Sequence, residues 1–265
     1  MLLLEKLCQF RNALPVRSSM KVDLTLCIML TAMDHVFSAY GGMGMTNSAA
    51  AAQTMLCVAR QSASQPDALL FTGIAGNLNA RLGFGDIVLG QTMVYEECDT
   101  AIIAEDPPYM EKFTATPQLL DCAVNIMREW GMREVVNNEN IPQAAGLMYT
   151  PHGIRAVSQD QKNYSPNVAD HQFTVGTIAS SNLFSTDPQV LSRIISQDYA
   201  DAEEMEGAAV AHVCAKNGVD NLIIRANSND CGEAYEALDN REDDLNTSAR
   251  IAALVTLGVA EKLLQ

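Results

Sequence analysis

Short apolar runs, several of them ending in glycine, alternate along this 265-residue chain with longer stretches of helical spacing. Strand-sized runs interleaved with helices leave few options, because each apolar sheet face must be covered by the helices lying between its strands. Leu24–Leu30 and His35–Tyr40 read as strands joined by a turn near Asp34, leading into Gly41-Gly42-Met43-Gly44 and an alanine-rich helix over 47–60. Asp67–Thr72 reads as a buried strand running into Gly73 and Gly76, with further strands at Asp86–Leu89, Thr92–Tyr95, Phe173–Ala179 and Asn221–Ala226. Helical spacing covers Pro117–Trp130, Pro188–Ile195, Met205–Lys216 and Leu245–Leu264. Residues 133–172 are polar, carry Pro142, Pro151 and Pro166, and read as an elaborated loop or insert. Neither a repeat nor a linker divides the chain. The expectation is one α/β domain over 1–265, a mixed β-sheet flanked by helices.

Composition narrows the function. Apolar residues make up 48% of the chain and charged ones 18%, enough for a large core. A net charge of −15 argues against a nucleic-acid or anionic-membrane surface, which needs a basic face. The start, MLLLEKLCQF, has neither a basic leader nor a long apolar core, and seven scattered cysteines lack a C-x-x-C pair, so a cytoplasmic protein with reduced thiols is expected. Four isolated histidines give no metal-ligand spacing. No metal or organic cofactor is implied.

Four segments carry chemistry: Phe71-Thr72-Gly73-Ile74-Ala75-Gly76-Asn77-Leu78, Gly83-Phe84-Gly85-Asp86, Glu203-Glu204-Met205-Glu206-Gly207-Ala208-Ala209, and Ile223-Ile224-Arg225-Ala226-Asn227-Ser228-Asn229-Asp230. In this order the chain resembles the methylthioadenosine/S-adenosylhomocysteine nucleosidase family of the nucleoside phosphorylase superfamily. That resemblance implies a nucleoside phosphorylase-like fold, cleavage of the bond between a purine and ribose, a small-molecule purine nucleoside as partner, and a homo-oligomer with a dimer favoured.

Such a bond breaks through a ribosyl cation-like state, so the site must grip the ribose, hold a nucleophile under the anomeric carbon and stabilise the departing base. Glycines at Ile74-Ala75-Gly76 allow close backbone approach. A carboxylate can accept from two vicinal hydroxyls, which suits Glu206 to the ribose, with Met205 as a flexible apolar surface beside it. The competing reading of Glu206 is an exposed acid at a helix N-terminus. The resemblance also places Glu204 and Ser228 in the site, gives Arg225 a part in positioning water, and sets Phe184 on the purine face. Arg225 could equally serve a salt bridge at the sheet edge, and Phe184 could be a core aromatic. Phosphorylases of the superfamily carry an Arg just before the glycine segment, where this chain has Leu70-Phe71-Thr72, so water is the expected nucleophile.

Two departures from the family pattern matter. Asn229 stands where the family has an Asp that helps protonate the purine. Asn cannot be a general acid, but its amide suits the acceptors of a 6-oxopurine, as in futalosine hydrolases. Alternatively Asp230 takes the role after a one-residue shift, or catalysis is lost and the protein only binds nucleosides. Second, Glu5 falls on the water-activating carboxylate, without the strand that precedes it in the family; a solvated helix acid is the alternative.

Overall fold

The computed structural model describes residues 26–31, 36–62, 66–98, 100–141, 165–234, 236, 238 and 241–264. Glu5 lies outside them, as does the turn near Asp34. In chain order the elements are β1 (Leu26–Thr31), β2 (Val36–Tyr40), α1 (Met45–Gln61), β3 (Pro66–Asn77), β4 (Ile87–Tyr95), α2 (Thr100–Ile103), β5 (Phe113–Thr114), α3 (Pro117–Glu129), β6 (Arg133–Glu134), β7 (Gln172–Ser180), α4 (Pro188–Asp198), β8 (Ala200–Glu204), α5 (Gly207–Asn217), β9 (Asp220–Asp230) and α6 (Glu242–Leu263).

All nine strands join one mixed sheet. Its centre is a closed ring: β3 runs parallel to β9, β9 antiparallel to β4, β4 parallel to β7, β7 parallel to β8, and β8 antiparallel to β3. Closure is possible because β3 and β4 are long enough to change partners along one edge. β3 pairs with β1 through Thr72 and with β8 at Gly76 and Asn77; β4 pairs with β9 through Gly90 and with β5 beyond it.

Both faces of the ring are buried, and the side chains sort by the two-residue period of a strand. Leu69, Phe71 and Ile223 face α1 and α5, packing on Leu56, Ala208 and Ala211. Leu70, Leu222 and Ile224 face α3 and α6, packing on Leu119, Ile251 and Val255. A third cluster, with Leu191 and Ile194 of α4, Val94 and Ala179, closes the end of the ring nearest Cys231. A strand buried on both sides reads as a continuous apolar run, which is why β3 and β9 stand out in the sequence.

The structure redraws some boundaries. β3 does not stop before its glycines but continues to Asn77. Gly76 serves close approach rather than a turn, since a Cβ there would lie 2.5 Å from the Cys231 sulfur. Gly76→Ala is therefore expected to destabilise the fold by about 1–3 kcal/mol, through overpacking against a buried side chain. Urea unfolding checks this. The two runs on either side of Gly90 form one strand, bent where the register shifts between Gly90 and Thr92. The strand β8 has no counterpart in the sequence reading, because Ala200-Asp201-Ala202-Glu203-Glu204 is too acidic to look buried. It is buried throughout. Asp201 is accommodated by the Asn138 and Thr177 amides at 2.9 and 3.1 Å and by the Asn79 side chain at 2.7 Å. Asn138 belongs to the polar stretch after β6, whose described start is thus woven into the sheet.

Candidate active site

The site forms where β3, β8 and β9 end together, beside the N-terminus of α5. Its organising group is Arg225, which lies inside the ring, fully buried, with its guanidinium 4.7 Å from the centre of the Phe71 ring. The salt bridge of the alternative reading therefore exists, but in the interior and not at the sheet edge. A buried guanidinium requires counter-charges, and the chain supplies two. Nη2 donates to Glu204 Oε2 and, at 3.2 Å, to Glu206 Oε2, while Nε and Nη1 have no partner among the described residues.

The two carboxylates do different work. Glu204 accepts from the backbone amides of Glu206 and Gly207 at 2.8–3.0 Å and from the Ser180 hydroxyl. It thereby satisfies the donors left open at the start of α5 and places negative charge at the positive end of the helix. Its acceptor capacity is taken up by the protein. Glu206, also buried, accepts from the Gly44 amide at 2.7 Å on Oε1 and from Arg225 on Oε2. The Met205 backbone also hydrogen-bonds this carboxyl, and the acceptor capacity that remains is available to a ligand. Burial raises the pKa of Glu206 to about 7, against the pull of Arg225, while Glu204 adds to the rise. The exposed helix-terminal acid of the competing reading is thus replaced by a buried one.

A small cavity of about 30 Å³ adjoins these groups and is lined by Gly76, Leu183, Phe184, Ser185, Glu203, Glu204, Met205, Asn229 and Cys231. Five residues expected from the sequence (Gly76, Phe184, Glu204, Met205 and Asn229) are therefore brought together on its wall. Phe184 is partly exposed at the rim, not in the core. Glu206 and Arg225 adjoin the wall through Met205 and Glu204. Ile74 is half-buried and Ala75 fully buried in β3, outside the lining.

Asn229 and Asp230 are separated by the strand geometry. The β3–β9 register shifts between Ala75 and Gly76, so that Ala75 faces Asn227 and Gly76 faces Asn229, leaving Ser228 as an extra residue. The Ser228 hydroxyl is shared between Ala75 O at 3.3 Å and Asn229 Oδ1 at 3.0 Å. This bond fixes which end of the Asn229 amide is the acceptor and turns its Nδ2 toward Gly76. Asp230 instead accepts from Asn77 Nδ2 at 3.2 Å and is absent from the cavity lining.

Several groups escaped the sequence reading. Gly44 was visible only as part of a glycine run, and Ser180 only as a strand end. Cys231 lines the cavity without a signal in the sequence, and Glu203 lines it as the first residue of a motif in which no role was assigned to it. Glu96, at the end of β4, is pushed up to about 9 by burial and then by Glu203, Glu204 and Glu97. With a folded pKa above the unfolded one, the native state binds the extra proton, so stability is greatest at low pH and falls as pH rises from about 4.5 toward 9. Melting temperature is expected to drop across that window, and Glu96→Gln to flatten the drop.

The ring, the buried Arg–Glu–Glu group and the glycine-walled cavity define a protein of one superfamily. The chain belongs to the phosphorylase superfamily, whose family model matches residues 3–261. It is 26% identical over 259 residues to 5'-methylthioadenosine/S-adenosylhomocysteine nucleosidase of Treponema pallidum, covering 98% of this chain and 90% of that protein. It is 30% identical over 228 residues to aminodeoxyfutalosine nucleosidase of Campylobacter jejuni, covering 85% and 80%. Among solved structures, the Campylobacter jejuni 5'-methylthioadenosine/S-adenosyl homocysteine nucleosidase superposes with a TM-score of 0.61 at 26% identity, covering 88% of this chain and 84% of that one.

Proposed function

We propose that the protein hydrolyses the N-glycosidic bond of a 5′-modified purine nucleoside such as methylthioadenosine or S-adenosylhomocysteine. It is an N-glycosyl hydrolase: Glu206 receives the ribose diol, Met205 packs on the sugar, Phe184 covers the purine and Asn229 meets the purine edge. The observation that carries this reading is the state of Glu206, a buried carboxyl aimed by Gly44 and Arg225 beside Met205 at the cavity. A carboxylate can accept from two vicinal hydroxyls. Water rather than phosphate is the nucleophile, which is supported by a described cavity lining that contains neither Arg nor Lys. Arg225, held behind Glu204 and Glu206, orients that water through its remaining N–H groups.

A second reading, a futalosine-type 6-oxopurine nucleosidase, is favoured by the amide of Asn229 on the cavity wall where an acid would serve adenine. Purified protein incubated with methylthioadenosine, inosine and futalosine, with and without phosphate, separates the possibilities. Adenine release independent of phosphate is the expected result. Hypoxanthine release alone moves the substrate to the second reading, and dependence on phosphate overturns hydrolysis.

The protein works as a cytoplasmic homodimer in this reading. Leu183 and Phe184 at the cavity mouth, and Met43 beside the Gly44 loop, are exposed apolar side chains that a second copy would cover, and Cys57, Cys98 and Cys122 are free thiols suited to a reducing compartment. Sedimentation at a series of concentrations checks the dimer.

A further inference from the structure

We infer that Glu203 is the general acid of this site, delivering from the wall it shares with Asn229 the proton that the departing purine takes up on a ring nitrogen. The inference rests on the nucleosidase reading and supplies what that reading lacks, since an amide at position 229 has no proton to give.

The placement is specific. Glu203 is paired with Gly76 across the β3–β8 junction, and Gly76 in turn stands against Cys231 and the Asn229 amide. All four line one cavity. The side chain is more than nine-tenths buried, and its Oε1 has no hydrogen-bond partner among the described residues. A buried, unpartnered carboxyl oxygen costs on the order of 1–3 kcal/mol or more, so its retention beside a ligand cavity calls for a partner that arrives with the ligand. With the sugar on Met205 and Glu206, the base reaches the opposite wall, where Asn229 and Glu203 stand.

The surroundings raise the pKa of the group. Burial raises the Glu203 pKa and Glu204 on the same strand adds to this, while the Ser185 hydroxyl and amide and the Cys231 thiol pull it down. Glu96 and Glu97 lie beyond the end of β4, and Cys231 and Asp230 at the end of β9; Arg193 of α4 is the cation that acts on Glu96. Carboxyls outnumber cations around the position, which favours the neutral acid.

In the step itself the C1′–N9 bond breaks and its electron pair is drawn into the purine, which takes the carboxyl proton of Glu203. Water oxygen bonds to C1′ and releases one proton. The Glu203 carboxylate regains a proton from solvent after the base departs, so the sum is nucleoside plus water to free base plus ribose.

The test uses the intact protein with methylthioadenosine and with a para-nitrophenyl riboside, whose leaving group departs as a stable anion and needs no proton. Glu203→Gln is expected to lower kcat on methylthioadenosine by about 10²-fold or more. KM should change little, the basic limb of the pH–rate profile should disappear, and hydrolysis of the nitrophenyl riboside should persist. Adding Asn229→Asp returns an acid to the same wall and is expected to recover part of the lost kcat. Wild-type kcat in Glu203→Gln overturns the inference, as does an equal loss on both substrates, which marks a damaged cavity. A wild-type protein inert toward both substrates overturns the nucleosidase reading along with it.

Discussion

Glu206→Ala is expected to lower kcat/KM on a purine nucleoside by roughly 10²–10⁴-fold, the loss of two hydrogen bonds to a charged acceptor at about 1.5–3 kcal/mol each. The effect should fall on the sugar and not on the base. Affinity for free adenine or hypoxanthine should stay near that of the wild type, while affinity for the nucleoside collapses. Calorimetric titration with base and nucleoside separates the two. Glutamine is no milder a replacement. With its carbonyl on the Gly44 amide, its NH₂ is forced against Arg225 Nη2, donor against donor. A variant that binds and hydrolyses nucleosides within a few fold of wild type would remove Glu206 from the ribose.

Arg225→Met should produce the largest loss of stability. Methionine fills much of the space over Phe71 but leaves Glu204 and Glu206 buried without their cation. Removing one partner of a buried ion pair costs about 3–5 kcal/mol. The loss depends on pH with a definite sign. Glu206 already titrates near 7, above the value of an unfolded glutamate, so the native state holds the extra proton and stability falls as pH rises through that window. Without Arg225, whose charge lowers this pKa, the window extends upward. Urea midpoints of the variant and wild type should therefore lie close at pH 5 and far apart at pH 8. Parallel pH dependences would show that Arg225 does not lower the Glu206 pKa.

Much of the fold was legible because burial on both faces writes itself as an apolar run. Leu69 to Thr72 and Leu222 to Ala226 are such runs, and both are ring strands. The helices over α3 and α4 announce themselves by spacing and by Pro117 and Pro188 at their first turns. What stayed hidden was burial achieved by pairing polar groups. The strand β8 carries Asp201, Glu203 and Glu204 into the interior, and its partners (Asn79, Asn138, Ser180 and Arg225) are scattered over almost 150 positions of sequence, beyond the reach of any local pattern. The site divides the same way. Met205, Glu206 and Asn229 were legible through their neighbours in the chain. Gly44 and Glu203 are placed at the site by residues distant in sequence, and Glu204, adjacent to Met205, turned out to hold a helix and a cation together.

The extra residue at Ser228 makes β9 a reading frame. Below it, side chains pair with β3 in one phase; above it, the phase has moved by one, and it is Asn229 rather than Ser228 that stands opposite Gly76 at the cavity wall. A straight ladder through the same residues would set Ser228 opposite Gly76 and offer a hydroxyl in place of the amide. The chemistry presented to a base is thus selected by a backbone irregularity as much as by the residue written at the position. A descendant of this fold could exchange amide for hydroxyl at this wall without altering either side chain.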